Sequence, residues 1–123
     1  MRTIPFTLAL SLLCGACGGG ALLEGKTLFD AGKYPEAKHE LDRIDSDDYR
    51  RLDARTRTTY ALYRGLVYGA LGDRPNAAAW LGLAKQTEDE HPGTLNREDA
   101  VRLKLAAEQY GPLPPTSAPP PSR

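Results

Sequence analysis

Apolar residues recur at three- and four-residue spacing through most of this chain. Ala37, Leu41 and Ile44 form one series, and Ala77, Trp80, Leu81 and Ala84 another, which is the period of a helix with a single apolar stripe. The same punctuation stands ahead of each stripe: Gly32-Lys33-Tyr34-Pro35 and Gly72-Asp73-Arg74-Pro75. A glycine closes one helix in the left-handed conformation, and proline's fixed φ suits the first turn of the next. The pattern predicts helices at about Leu22–Ala31, Pro35–Ile44, Ala54–Leu71, Pro75–Asp89 and Arg97–Tyr110. The last begins behind Asn96, a suitable N-cap, carries Glu98 and Asp99 in its first turn, and stops at Gly111-Pro112. Val101 and Leu105, with Ala100, Leu103 and Ala107, are expected to form its apolar face.

The two stripes belong to an internal repeat with a constant offset of forty positions. Gly25 aligns with Gly65, Leu28 with Tyr68, Gly32 with Gly72, Pro35 with Pro75, Ala37 with Ala77, Leu41 with Leu81 and Ile44 with Ala84. Each copy predicts a helical hairpin, in which small Gly25 or Gly65 and Ala37 or Ala77 let paired helices approach closely. The chain here resembles the tetratricopeptide repeat over roughly Ala21 to Glu90. The residues that carry the resemblance are Gly65, Tyr68, Gly72, Ala77, Leu81 and Ala84, with Gly25, Leu28, Gly32, Ala37 and Leu41 in the first copy. Ala61 and Arg64 depart from the family's Trp and Leu, and Pro92 falls later than its repeat-ending proline. The offset also exceeds the family's period of about 34, so a few extra residues are expected around Ser46 to Ala54. The expected architecture is all-α: a short tetratricopeptide-like solenoid of two hairpins with a C-terminal capping helix. Two repeats fall below the three usually needed for a stable stack, which predicts self-association or stabilisation by a partner.

The third predicted helix is apolar around nearly its whole circumference. Tyr60, Ala61, Leu62, Tyr63, Leu66, Val67, Tyr68, Ala70 and Leu71 leave only Arg64 as an exception. Such a helix is either buried in the middle of the stack or lines an exposed groove. The family resemblance implies a concave face formed by the first helix of each pair. It places Leu62, Tyr63 and Leu66 near partner-binding positions, with Leu22 and Lys26 as counterparts in the first copy. Arg50, Arg51, Arg55, Arg57 and Arg64 follow Asp42, Asp45, Asp47 and Asp48. These opposite blocks read first as solvated faces that pair with one another. In the functional alternative, Arg55 and Arg57 belong to a basic rim that reads an acidic segment or a C-terminal carboxylate.

Before the repeats, the chain starts with Arg2, an apolar run from Ile4 to Leu13, and small residues leading to Cys17. This has the form of a signal peptide over residues 1–16, too short to span a bilayer as a helix. Gly15-Ala16-Cys17 resembles the lipobox of bacterial lipoproteins, which implies acylation of Cys17 as the first mature residue. Cys14 stands where that motif usually has Leu, and Leu13 before it is too bulky for the cleavage pocket, which favours Cys17 as the acceptor. Cys14 and Cys17 also spell C-x-x-C, a redox or half-zinc spacing. With Cys14 removed and Cys17 acylated, neither thiol remains for that chemistry. Residues 17–20 then form the lipidated cysteine and a glycine tether, 21–110 the helical domain, and 111–123 a proline-rich tail expected to be extended. Gly18 after the cysteine implies, by the same resemblance, the outer membrane, facing the periplasm. In a host with one membrane, the chain would face outward from it.

Composition narrows the function. The leader takes Arg2 with it, and the mature chain is nearly neutral, so no basic field argues for nucleic acid. His39 and His91 are single, distant and expected at the surface, and no metal set is expected. No nucleophile–base–stabiliser set or phosphate loop stands out, so neither an enzyme nor a cofactor beyond the covalent lipid is expected. The expected role is a membrane-anchored, noncatalytic protein-interaction or assembly module of the bacterial envelope, assisting for example an outer-membrane complex or secretin. The alternatives are an accessory regulator of a cell-wall enzyme and a structural spacer without a specific partner.

Overall fold

A computed structural model describes residues 19–110 of the chain, which form six α-helices: α1 (Gly19–Asp30), α2 (Tyr34–Leu41), α3 (Ser46–Arg51), α4 (Ala54–Ala70), α5 (Arg74–Glu90) and α6 (Arg97–Tyr110). Among the described residues there are no strands, and the fold is all-α. The leader, Cys17 and the proline-rich tail lie outside the described residues. Helix α1 begins at Gly19, so two glycines assigned to a tether open the first helix instead. The helix α3 is new. It occupies the stretch where extra residues were expected, and Asp45 caps it by accepting from Asp48 N–H at 2.8 Å.

The forty-residue repeat is reproduced bond for bond at the two turns. Gly32 and Gly72 have φ of 75° and 82°. Gly32 N–H donates to Phe29 and Lys33 N–H to Leu28; Gly72 N–H donates to Gly69 and Asp73 N–H to Tyr68, at the equivalent positions. Only a left-handed residue brings both amides back onto the closing turn, and glycine adopts it without a Cβ clash. Pro35 and Pro75 follow in the first turns of α2 and α5.

Close helix pairing repeats as well. A Cβ on Gly25 would sit 2.6 Å from the Leu41 side chain, and one on Gly65 would sit 2.5 Å from that of Leu81. Each leucine therefore packs directly on a glycine of the preceding helix. Helix α1 pairs with α2, and α4 with α5; α4 also meets α1, α2 and α6, while α5 meets α6. The central position of α4 explains its composition. Tyr60, Ala61, Leu62, Tyr63, Val67 and Tyr68 are all buried, so the first of the two readings of this helix accounts for most of its circumference.

Arg64 is buried with them, at 1% exposure, and does not join a basic rim. Its guanidinium lies 5.8, 5.2 and 5.4 Å from the ring centroids of Tyr60, Tyr68 and Trp80 and pairs with Asp42. Its Nε and Nη2 have no hydrogen-bond partner among the described residues; the surrounding π-faces supply the compensating interaction. Tyr49 of α3 completes this aromatic cluster, 5.5 Å from Tyr60 and 6.0 Å from Trp80. The Tyr60 hydroxyl donates to Leu41 O at 3.0 Å, satisfying a carbonyl at the end of α2. Burial pushes the Tyr60 phenol up to about 12.

Helix α6 turns inward only part of the face its sequence suggested: Leu103 enters the core and Ala100 packs against it. Asp99, Leu103 and Ala106 are buried, whereas Val101 and Leu105 are 52% and 59% exposed. Asn96 caps the helix as expected, accepting from Asp99 N–H at 2.8 Å. The rotation is set by Asp99, whose carboxylate accepts the buried Tyr63 hydroxyl of α4 at 2.8 Å. Leu103 follows one turn later on that side, which leaves Val101 and Leu105 facing away.

Candidate functional site

The site sits where α1, α4 and α6 come together, and it starts with side chains at the end of α1. Phe29 is half-buried, with its ring 5.4 Å from Tyr34 and edge-on to Tyr63 at 5.6 Å. Leu66 approaches from α4, and Arg102, Leu105, Ala106 and Gln109 approach from α6, leaving an open groove of about 370 Å³. Phe29, Tyr34, Leu66, Leu105 and Ala106 give it aromatic and aliphatic surface, and Asp30, Arg102 and Gln109 are its charged and amide members.

Arg102 is the centre of the polar contacts. Its Nη1 donates to Asp30 at 3.0 Å and to the Tyr63 hydroxyl at 3.1 Å, and its Nη2 donates to Glu98 at 2.9 Å. The Tyr63 hydroxyl in turn donates to Asp99, so one network ties α1, α4 and α6 together. Burial, and then the hydrogen bond to Asp99, push the Tyr63 phenol well above its usual range. It stays a neutral donor throughout the accessible pH range. For Arg102, burial pulls the pKa down, but the Asp30 bond and the neighbouring charges outweigh it and the net shift is upward. The Lys26 ammonium lies 5.4 Å from the Tyr63 ring centroid. The groove therefore offers aromatic surface, aliphatic surface and a fixed guanidinium.

The structure separates the partner-binding residues proposed from sequence. Leu66 lines the groove. Tyr63 lies beneath it at 2% exposure and contributes through its hydroxyl. Leu62 is fully buried and offers no surface to a partner; in the first copy Leu22 is likewise buried. Arg55 and Arg57 lie in the first turn of α4, eleven and nine residues from Leu66, or about 16 and 14 Å along the helix axis. Arg57 is close enough to Tyr49 to favour ionisation of that phenol, against the larger opposite effect of burial. Arg50 pairs with Asp47 at 3.1 Å on the solvated surface. The basic block is thus apart from the groove.

Phe29, Tyr34, Arg102, Leu105 and Gln109 were missed because they come from segments far apart in the chain. A sequence signal did exist. Val101 and Leu105 recur at i and i+4 in competition with the Leu103 stripe, and a helix with two apolar stripes leaves one of them outside.

His39 and His91 are exposed. Among the described residues, no group of three or more His, Cys, Asp or Glu is gathered in a way that could hold a metal ion. No helix among them is long and apolar enough to cross a membrane. No protein-family model, curated protein or solved structure matches the chain.

Proposed function

We propose that this chain is a lipid-anchored, noncatalytic docking module of the bacterial cell envelope, built as a short tetratricopeptide-like solenoid of two hairpins and a capping helix. The observation that carries the docking role is the open groove between α1, α4 and α6. Leu105 is left 59% exposed beside it, and Phe29, Tyr34 and Leu66 are only partly covered. A polypeptide laid over these side chains would remove apolar surface from water, at about 25 cal/mol per Å². The matching glycine turns and glycine–leucine contacts of the two copies support the solenoid reading. The lipobox-like Gly15-Ala16-Cys17 supports anchoring, and Gly18 supports the outer membrane.

Crosslinking in intact cells tests the docking role. The chain should capture one dominant envelope protein, such as a component of an outer-membrane complex, and Leu105→Glu should reduce that capture at least several-fold. Equal capture by the variant rejects the groove as the docking site. Capture of wall enzymes would favour the accessory role, and no specific capture would favour the spacer. The intact mass of membrane-extracted protein tests the anchor separately: a mature N-terminus other than acylated Cys17 rejects it.

A further inference from the structure

We infer that the groove takes proline-rich polypeptide, and that its resident occupant is this chain's own segment Pro112–Pro121. The inference deepens the docking role by naming the ligand chemistry of the same groove. Three observations carry it.

The first is the chemistry of the groove. A polyproline II strand has no internal hydrogen bonds and presents prolyl rings alongside unpaired carbonyls. Grooves that bind it combine aromatic walls with donors at the edge. Phe29 and Tyr34 provide the aromatic wall, and Leu66 and Leu105 the aliphatic one. Of the five N–H donors of a guanidinium, Arg102 commits three to Asp30, Tyr63 and Glu98 among the described residues. The remaining two make no hydrogen bond to the described residues, and Arg102 and Gln109 both line the groove.

The second is composition. Residues 112–121 contain Pro112, Pro114, Pro115, Pro119, Pro120 and Pro121, with Leu113 as an apolar side chain within the first cluster. Proline restricts the chain before binding, so less conformational entropy is lost on docking.

The third is position. Gln109 lines the groove, and Pro112 follows it by three residues, a tether of at most about 11 Å. Such a tether raises the effective concentration into the millimolar range or above, so even weak recognition keeps the groove occupied. A partner would then have to displace the segment, and a partner with its own proline-rich strand is best matched to do so.

The test places a photoreactive benzoylphenylalanine at position 101, exposed one turn from Leu105 and outside the groove lining, in the full-length, membrane-bound chain and maps the crosslinks by mass spectrometry. The expected product is an intramolecular link to residues 112–121 at monomer mass. A second chain changes Pro112, Pro114 and Pro115 to Gly with the same photoprobe; it touches no residue of the helical core. Its link should fall at least about fivefold. An unchanged yield would show proximity without recognition and overturn the inference. Links only to the tail of a second copy, to other proteins or to lipid would also overturn it. Failure to capture any envelope protein would reject the docking role while leaving this intramolecular result intact, so the two can fail separately.

Discussion

Arg64 is the residue at which charge, packing and composition meet most sharply. Its guanidinium is buried among three rings and bonded to Asp42, while Lys38 holds the other carboxylate oxygen at 2.7 Å. Removing the Arg64 side chain leaves a cavity among the rings, whereas Asp42, 29% exposed, keeps its bond to Lys38, so the loss is mainly that of a large buried side chain, typically about 2–5 kcal/mol. Arg64→Ala is expected near that range in urea unfolding. Replacing both partners with uncharged residues of similar volume, Arg64→Met with Asp42→Asn, is expected to cost much less, because two of the arginine nitrogens have no hydrogen bond to lose. For Asp42, burial raises the pKa, but the hydrogen bonds and charges of Lys38 and Arg64 outweigh it and hold the carboxyl below its ordinary value. A carboxylate with a depressed folded pKa adds stability that is fully present above the unfolded value, near 4, and is lost as pH falls through the folded value. Asp42→Asn should therefore flatten the fall of the urea midpoint between pH 5 and pH 2. An unchanged slope would rule Asp42 out as a contributor to acid sensitivity.

At the scale of elements, the close helix pairs depend on the absence of a side chain at Gly25 and Gly65. Glycine inside a helix costs about 1 kcal/mol relative to alanine, so its presence at both equivalent positions needs a packing reason. The Leu41 and Leu81 side chains fill the space where a Cβ would stand. Overpacking of this kind costs about 1–3 kcal/mol. Gly65→Ala should be the more damaging of the two, because its Cβ would also lie 3.1 Å from the Leu81 backbone nitrogen. Comparing Gly65→Ala in the native background with Gly65→Ala in a Leu81→Ala background checks this. The glycine substitution should destabilise the first and be neutral or stabilising in the second. The turns obey a different constraint: Gly32→Ala and Gly72→Ala face open space but impose a left-handed backbone, at about 1–2 kcal/mol each.

Across the whole molecule, the groove lies where a polar network ties α6, which packs mainly on α5, to α1 and α4. Tyr63 bridges Asp99 and Arg102, and Arg102 reaches Asp30. Tyr63→Phe removes the bridge and leaves the buried Asp99 carboxylate without that donor, at about 1–3 kcal/mol. The loss is expected to be local: amide exchange in α6 should accelerate more than in α4 or α5, where the aromatic cluster remains. Uniform acceleration of all helices would instead mean that α6 unfolds only with the rest.

The sequence by itself determined the helices, the two turns and the pairing within each copy. These depend on local chemistry: a glycine that tolerates positive φ, a proline at a first turn, and stripes with a 3.6-residue period. All five predicted helices start and end within three residues of their observed bounds, and α3 escaped because its six residues, Ser46–Arg51, carry one buried apolar side chain, Tyr49. Tertiary structure alone decided which stripe of α6 turns inward, that Arg64 is buried, and that Leu62 is sealed while Leu66 borders the groove. Each depends on partners far along the chain: Tyr63 with Asp99, Arg64 with Asp42, and Phe29 with the face opposite on α6. Periodicity defines which residues share a helix face; it carries no information on which neighbour that face meets.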